Sequence, residues 1–183
     1  MGINSLINNK VNDALNLLVG KMFEGNRILD RQMSQLSVKF AMNHTSDALH
    51  PLLAHAFPLL SDQIGDYQDS RNALTVYLET PSDSTEYLSP IELFTHFYNY
   101  MEELEGSVCD VISIVEDEND RMTKVFLEKF LLTIQPYTAQ AILLVDKISS
   151  YGNEPKDWMQ FDRNVDDFLI VEQLQGKSYE KRS

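Results

Sequence analysis

The stretch VEDENDRMTKVFLEKF, residues 115–130, carries the clearest information about the fold. Its acidic side chains are concentrated between Glu116 and Asp120, and apolar residues then recur every three or four positions as far as Ile148. That spacing indicates a long amphipathic helix. Carboxylates are stabilised near a helix N-terminus by the macrodipole, so the acidic run predicts that the helix starts here.

The same spacing predicts helices through most of the chain. The best-defined start is LSPIE, residues 88–92, where Ser89 is an N-cap, Pro90 occupies the first helical position and Glu92 completes a capping box. Another helix is predicted over residues 51–76, with a kink at Pro58. A further helix is expected over residues 26–46. The polar stretch 80–88 either carries the chain from one end of the bundle to the other or simply reverses it.

These segments predict an all-α protein, a four-helix bundle whose helices are each about 20–30 residues long. The length of the chain favours a single domain over residues 1–183. Within it we expect an extra N-terminal helix over residues 1–25 that ends near Gly25, the bundle over residues 26–150, and a C-terminal extension over residues 151–183.

Composition narrows the functional classes. A net charge of −13 repels phosphate backbones, which argues against nucleic-acid binding and favours metal cations as partners. No apolar run is long enough to span a membrane, and the N-terminus lacks a signal-peptide pattern. The one cysteine, Cys109, excludes an internal disulfide and is expected to be buried. We therefore expect a cytoplasmic protein.

Histidines and aspartates are concentrated in residues 43–69. This stretch holds His44, His50 and His55, followed by Asp62, Asp66 and Asp69. His55 and the three aspartates share one face of a helix, where imidazoles and carboxylates could bind a cation such as iron. A solvated helix face explains the same pattern. No repeated Glu-x-x-His, P-loop, dinucleotide fingerprint or nucleophile elbow is present, so no catalytic residue is assigned.

Two stretches carry a resemblance to a known family. ISIVEDENDRMTKVFLEKF, residues 112–130, resembles the start of the last bundle helix in Dps-type mini-ferritins, with Asn119 where the family often has glycine. ALHPLLAHAFPLLSDQIGDYQDSRNAL, residues 48–74, is similar to the second helix of that family. The positions that match in the first stretch are Glu116, Asp117, Asp120, Thr123, Phe126 and Leu127. The resemblance covers residues 30–150 and implies a ferritin-like bundle.

The resemblance also implies an activity and a set of ligands. Dps-type proteins form twelve-subunit shells that oxidise and store iron at centres on two-fold interfaces and thereby protect the cell against oxidative stress. His50 matches one ligand position and Asp66 a second, with one extra residue between them near Pro58. The glutamate position holds Ser70, and the first-helix histidine position falls on Val38, with His44 the nearest substitute. Two of four ligands are thus matched, so the chain diverges from the family at the ferroxidase centre.

Two hypotheses follow. The first is a Dps-like, self-associating protein, a dodecamer in that family, that binds iron through His50, Asp66, His44 and Asp62. Iron would enter through openings lined by Asp117, Asp120 and Glu116. With two of the four ligands matched, a chain that oxidises iron and a chain that does not are both compatible with the sequence. The alternative is a catalytically silent ferritin-like bundle that acts in assembly or protein interaction.

Overall fold

A computed structural model describes residues 4–175 as helices and connecting segments, with no strand in that range. The predicted all-α class is confirmed. The elements are α1 (Asn9–Val38), α2 (Asn43–Leu49), a π-helical turn (His50–Ala54), α3 (Ala56–Ser70), α4 (Pro90–Asp117), α5 (Arg121–Tyr151), α6 (Pro155–Asn164) and a short 3₁₀ helix (Val165–Phe168). No helix within residues 4–175 is long and apolar enough to cross a membrane.

The predicted division of the N-terminal region at Gly25 is wrong. Helix α1 is continuous through Gly25, which is buried near its middle. Asn8 is the N-cap, and its side chain accepts a hydrogen bond from the Val11 N–H. The helix also ends before residue 46, because Ala41 adopts a left-handed conformation with φ 57° and α2 begins just after it. The extra N-terminal helix is therefore the first half of the first bundle helix.

The predicted kink at Pro58 lies instead in the π-helical turn before α3. There the His55 N–H reaches back five residues to the His50 carbonyl, at 3.3 Å. A π-turn accommodates one more residue than the α-helical turn it replaces. Pro58 cannot donate to the Ala54 carbonyl four residues earlier, but the Asn26 side chain of α1 donates to that carbonyl at 3.0 Å. The proline is tolerated because its missing hydrogen bond is replaced.

The predicted start of α4 is confirmed. The Ser89 side chain accepts from the Glu92 N–H at 3.2 Å, and Pro90 is in the first helical turn. The Glu92 carboxylate accepts from the Leu88 N–H at 2.8 Å, one residue before the N-cap. The start is therefore fixed by reciprocal hydrogen bonds, as the sequence pattern predicts.

A long crossover, residues 71–89, runs along α1 from its beginning to its end. Near the beginning, the Asn16 side chain accepts from the Val76 N–H at 2.9 Å. Near the end, the Gln35 amide donates to the Thr85 carbonyl at 2.7 Å and accepts from the Tyr87 N–H at 3.0 Å. The crossover thus carries the chain from one end of the bundle to the other, and α3 and α4 run in the same direction.

The C-terminal region packs against the bundle. Phe161 of α6 is fully buried, and Gln140 of α5 donates to the Phe168 carbonyl at 2.9 Å and accepts from the Ile170 N–H at 2.7 Å. The Asp162 carboxylate accepts from the Thr45 N–H at 2.7 Å. These contacts fix the described part of the extension against α2 and α5.

Candidate functional site

His50 lies in a shallow groove at the end of the bundle where α1 ends. Its Nε2 atom is 3.0 Å from the Asp30 carboxylate, and its ring centroid is 4.5 Å from that of His55. Ser34 and Ser46 contribute to a groove of about 520 Å³. The two imidazoles and the carboxylate are of the ligand types that bind borderline metal ions. The partner Asp30 was not predicted, because it comes from a different helix.

His44 points to a different neighbour. Its Nε2 atom is 2.9 Å from the Asp166 carboxylate in the 3₁₀ helix, and both side chains are about half exposed. This contact links α2 to the C-terminal region. In a single chain His44 therefore acts as a structural contact and does not complete a ligand set with His50.

Asp62 and Asp66 lie farther along the chain, on the outer side of α3. Together with Asp69 they line a groove of about 750 Å³ beside the crossover. Sixteen positions separate His50 from Asp66, about 24 Å at the rise of an α-helix. Within residues 4–175, no group of three or more His, Cys, Asp or Glu residues is placed to hold a metal ion. The metal site predicted from His44, His50, Asp62 and Asp66 stays a prediction, because these four side chains do not come together within one chain.

The interior of the bundle offers no charged ligands in the described part of the chain. Its core is formed by apolar side chains such as Phe57, Met101 and Ile134, each fully buried. The buried polar residues are all uncharged: Asn16, Gln32, Gln35, Thr45, Ser46, Ser61, Gln68, Thr123 and Gln140. Iron binding inside proteins relies on carboxylates and imidazoles. The donor set inside this bundle does not fit an iron centre.

Sequence reasoning missed a partly buried polar cluster at the start of α4. The Tyr87 hydroxyl is 2.6 Å from His96 Nδ1, and the Gln32 amide donates to Tyr87 at 3.2 Å and to the Leu93 carbonyl at 3.1 Å. Burial raises the pKa of Tyr87 to about 12, although the hydrogen bond from Gln32 acts in the opposite direction. The cluster joins the crossover to α1 and α4. A histidine among the apolar residues of α4 was its sequence signal.

The acidic run at 116–120 lies at the turn between α4 and α5. The prediction that the whole run begins a helix is wrong, because Glu116 and Asp117 end α4 and Glu118 follows as its C-cap. Asp120 is the N-cap of α5. Asn119 has φ 55°, in the left-handed region that asparagine and glycine tolerate best.

Basic side chains compensate part of this acidic turn. Glu116 is 2.5 Å from Lys124, and that hydrogen bond raises the lysine pKa. Glu118 is 2.9 Å from Lys10, whose hydrogen bond lowers the pKa of the Glu118 carboxyl. The pore-lining role of Glu116, Asp117 and Asp120 depends on an assembly and stays a prediction. Cys109, predicted to be buried, is exposed on α4.

Comparison with known proteins identifies the fold. No protein-family model matches the chain, and no curated protein sequence is significantly similar to it. Among solved structures, a humanized archaeal ferritin superposes with a TM-score of 0.77 at 16% identity, covering 94% of this chain and 99% of that one.

A second solved structure agrees with the first. The open pore ferritin from the hyperthermophilic archaeon Archaeoglobus fulgidus superposes with a TM-score of 0.76 at 16% identity, covering 90% of this chain and 99% of that one. The protein therefore has a ferritin-like helical bundle fold. The finer assignment to the Dps type stays a prediction.

Proposed function

We propose that this chain is the subunit of a ferritin-type assembly that binds iron as cargo at a surface shared by two subunits. The observation that supports this proposal is the location of the carboxylate and imidazole side chains. In the described residues, no Asp, Glu or His is buried in the bundle, whereas His50 and Asp66 lie on the surface of one helical run. The likeness to ferritin structures supports the fold on which this proposal rests.

Geometry favours a site built from two chains. His50 is at one end of the run from α2 to α3, and Asp62 and Asp66 are near the other. If two copies pair through a two-fold axis with these runs antiparallel, the His50 end of each lies beside the Asp66 end of the other. Each pair would then hold two equivalent sites. This arrangement agrees with the interface centres that the resemblance to Dps-type proteins implies.

An exposed apolar surface supports self-association. The crossover carries Leu74, Val76 and Tyr77 with half or more of each side chain exposed, and Leu17 of α1 is also exposed. Exposed apolar side chains that lie close together on a surface are typical of interaction sites. A dodecameric shell, iron oxidation and a role in oxidative-stress protection are the further properties that we propose from the resemblance.

A second candidate function is a catalytically silent assembly protein. Its specific support is that the described ligand-type histidines already have partners, His50 with Asp30 and His44 with Asp166. The uncharged bundle interior is equally consistent with this alternative.

The test combines light scattering with ferrous-ion binding and oxidation on the purified chain. We expect an oligomer whose iron affinity falls by at least about 10-fold in His50→Ala and in Asp66→Ala, since losing even an outer-shell partner of a metal ligand costs about 10–100-fold. Asp110→Ala removes an exposed carboxylate from α4 and is the matched control, expected to bind as the parent does. A parent oligomer that binds no iron above the level of buffer alone would select the silent assembly protein.

Mixing the two variants tests whether the site is shared. A pair made of one His50→Ala chain and one Asp66→Ala chain contains one intact site and one site that lacks both residues. Random co-assembly should therefore restore about a quarter of the parent sites, although each variant alone has none. Absence of any restoration in verified mixed oligomers would contradict a site between subunits.

A further inference from the structure

The outer side of α5 has no charged residues along its middle, where a surface helix is ordinarily charged. Residues 130–145, FLLTIQPYTAQAILLV, contain no Asp, Glu, Lys or Arg, although 23% of the whole chain is charged. One side of this run is buried in the core, but Leu132 is 75% exposed and Ile142 is 46% exposed on the other side. A helix that is apolar on all sides is ordinarily buried on all sides. The exposed side of this run therefore indicates an interface.

This surface, which we call the outer strip, is separate from the surface of α3 and the crossover. It consists of Leu132, Gln135, Pro136, Ala139 and Ile142.

The packing of the helices separates the two surfaces. Helix α5 packs against α4 and, through the stacked rings of Phe126 and Tyr67, against the end of α3. Helix α1, along which the crossover runs, packs against α3 and α4. The helices α1 and α5 thus occupy diagonal corners of the bundle, and one subunit can use both surfaces at once.

We propose that two copies of this chain pair through their outer strips, with the two α5 helices antiparallel about a two-fold axis near residues 137 and 138. Such a contact is isologous, since each copy contributes the same surface. In this register the uncharged run of one helix lies along the uncharged run of the other over about 22 Å. Ala139 lies close to the axis, where its small side chain lets the two helices approach closely.

Charge favours a second copy as the occupant of the outer strip. Oppositely charged pairs flank the uncharged run, with Glu128 and Lys129 before it and Asp146 and Lys147 after it. In the antiparallel register the first pair of each copy lies beside the second pair of the other copy, so each end brings together two acidic and two basic side chains. Neither Lys129 nor Asp146 has an ion-pair partner within residues 4–175. Pairing therefore brings no net charge together at either end.

Other faces of the bundle are less suited to pairing. The chain carries a net charge of −13, and α4 contributes seven carboxylates without a lysine or arginine. Two copies that meet through α4 would bring like charges together, which is costly. The outer strip of α5 avoids this cost, because the core of an interface is ordinarily depleted of charge.

The contact is small. A strip about 22 Å long and about 10 Å wide covers much less than the roughly 800 Å² per partner of a standard interface. We therefore expect weak pairing through α5 alone, which becomes stronger where another surface already links the same chains. The pairing does not depend on iron binding or on the α3 surface.

Disulfide trapping on the full chain, without iron, tests the pairing. The exposed Cys109 is first removed by Cys109→Ser, and Ala139→Cys then places one thiol near the proposed axis, within disulfide reach of its copy. Ser150→Cys in the same background is the matched control, because its two copies would be about 37 Å apart in the antiparallel register. Interchain disulfides are measured by mass spectrometry under mild oxidation, with each rate divided by the alkylation rate of the same thiol.

We expect the 139–139 disulfide to form at least about tenfold faster than the 150–150 disulfide. Equal rates would overturn the proposal, because parallel helices or random collisions trap both positions alike. The absence of any 139–139 disulfide would overturn it as well.

A charge variant tests whether the outer strip itself makes the contact. Leu132→Glu adds a carboxylate to the strip of each copy and should slow the 139–139 disulfide at least about tenfold. Since Leu132 is 75% exposed, the fold should be kept, which an unchanged far-ultraviolet circular dichroism spectrum verifies. Leu88→Glu makes the same change at an exposed leucine of the crossover and should leave the rate unchanged. A rate that Leu132→Glu does not alter would overturn the proposal.

One further variant separates this proposal from the iron site. His50→Ala should leave the 139–139 disulfide rate unchanged, because the proposed pairing uses α5 alone. A chain that binds no iron but forms this disulfide would contradict the proposed function and support the α5 contact. A rate that falls tenfold in His50→Ala would overturn the α5 contact as an independent interface.

Discussion

Gly25 of α1 lies directly against the ring of Phe57 of α3. A Cβ atom on Gly25 would be 2.5 Å from two carbons of the Phe57 ring and 2.8 Å from a ring carbon of Tyr100. Both aromatic residues are buried, and their ring centroids are 5.8 Å apart. The glycine therefore provides the space into which two aromatic rings of the core pack.

This contact predicts that Gly25→Ala destabilises the protein, although alanine is the better helix former. The helix-propensity gain is up to about 1 kcal/mol. Overpacking a core against rigid, enclosed groups costs about 1–3 kcal/mol. We expect a net decrease in the free energy of unfolding, measured by urea denaturation.

Gly106→Ala on α4 is the matched control. A Cβ atom there meets nothing within 4 Å, so the substitution should stabilise the protein by about 0.5–1 kcal/mol. Equal stabilisation by both substitutions would contradict the packing role of Gly25.

The sequence predicts helix boundaries correctly where they depend on neighbouring residues. It predicts them incorrectly where they depend on contacts with residues distant in the sequence. Ser89, Pro90 and Glu92 fix the start of α4 through neighbouring residues, and this start is confirmed. Gly25 indicates a helix end by propensity alone, but burial against Phe57 outweighs that propensity. The partner that decides the outcome lies on another helix, where no local pattern reveals it.

The candidate site shows the same limit. Helical spacing correctly separates the apolar face of α3 from the side that carries Asp62 and Asp66. It does not reveal that His50 contacts Asp30 or that His44 contacts Asp166, because those partners come from α1 and the C-terminal region. His50 and Asp66, which the family resemblance pairs as ligands, lie about 24 Å apart along one chain, so only a second subunit could bring them together.

Asp120 should be the stabilising carboxylate of the acidic turn. It accepts hydrogen bonds from the Thr123 N–H at 3.0 Å and from the Thr123 hydroxyl at 2.5 Å, and Tyr67 in turn donates to that hydroxyl. Asp120→Ala removes the N-cap of α5 and should lower the free energy of unfolding by about 1 kcal/mol. Thermal or urea unfolding measures the change.

Asp117→Ala is the control for a carboxylate of the same turn. Asp117 is exposed at the C-terminal end of α4, where the macrodipole disfavours negative charge. Its removal should leave stability unchanged or raise it slightly. Comparable destabilisation by both variants would show that the turn depends on its total charge and not on the cap.

Tyr87 should make the protein sensitive to alkaline pH. Its pKa is raised by burial from 10.0 to about 12, so the folded state favours the protonated phenol. The stabilisation is complete below pH 10, the value for the unfolded chain, and is lost as the pH rises toward 12. We expect the thermal midpoint to fall over that interval.

Tyr87→Phe identifies the source of this fall. The variant loses the hydrogen bond to His96 and should be less stable at neutral pH by about 1 kcal/mol. It should then lose less stability than the parent between pH 10 and 12, since it cannot ionise at this position. Tyr77→Phe changes an exposed tyrosine and should keep the parent's profile. Parallel profiles for parent and Tyr87→Phe would assign the alkaline loss to other groups.

Gln140 should control the attachment of the C-terminal region to the bundle. Its fully buried amide satisfies the Phe168 carbonyl and the Ile170 N–H together. Gln140→Leu keeps a side chain of similar length but leaves both backbone groups without a partner, at about 1–3 kcal/mol for each group that stays buried. Detachment of the segment lets water satisfy them instead, so the expected result is faster amide exchange at Ile170 with a smaller loss of global stability.

Hydrogen exchange read by mass spectrometry over residues 165–175 measures this, with the exposed Gln135→Leu on the same helix as control. Unchanged exchange in Gln140→Leu would mean that the apolar contacts of Phe161 and Val165 hold the segment without the amide.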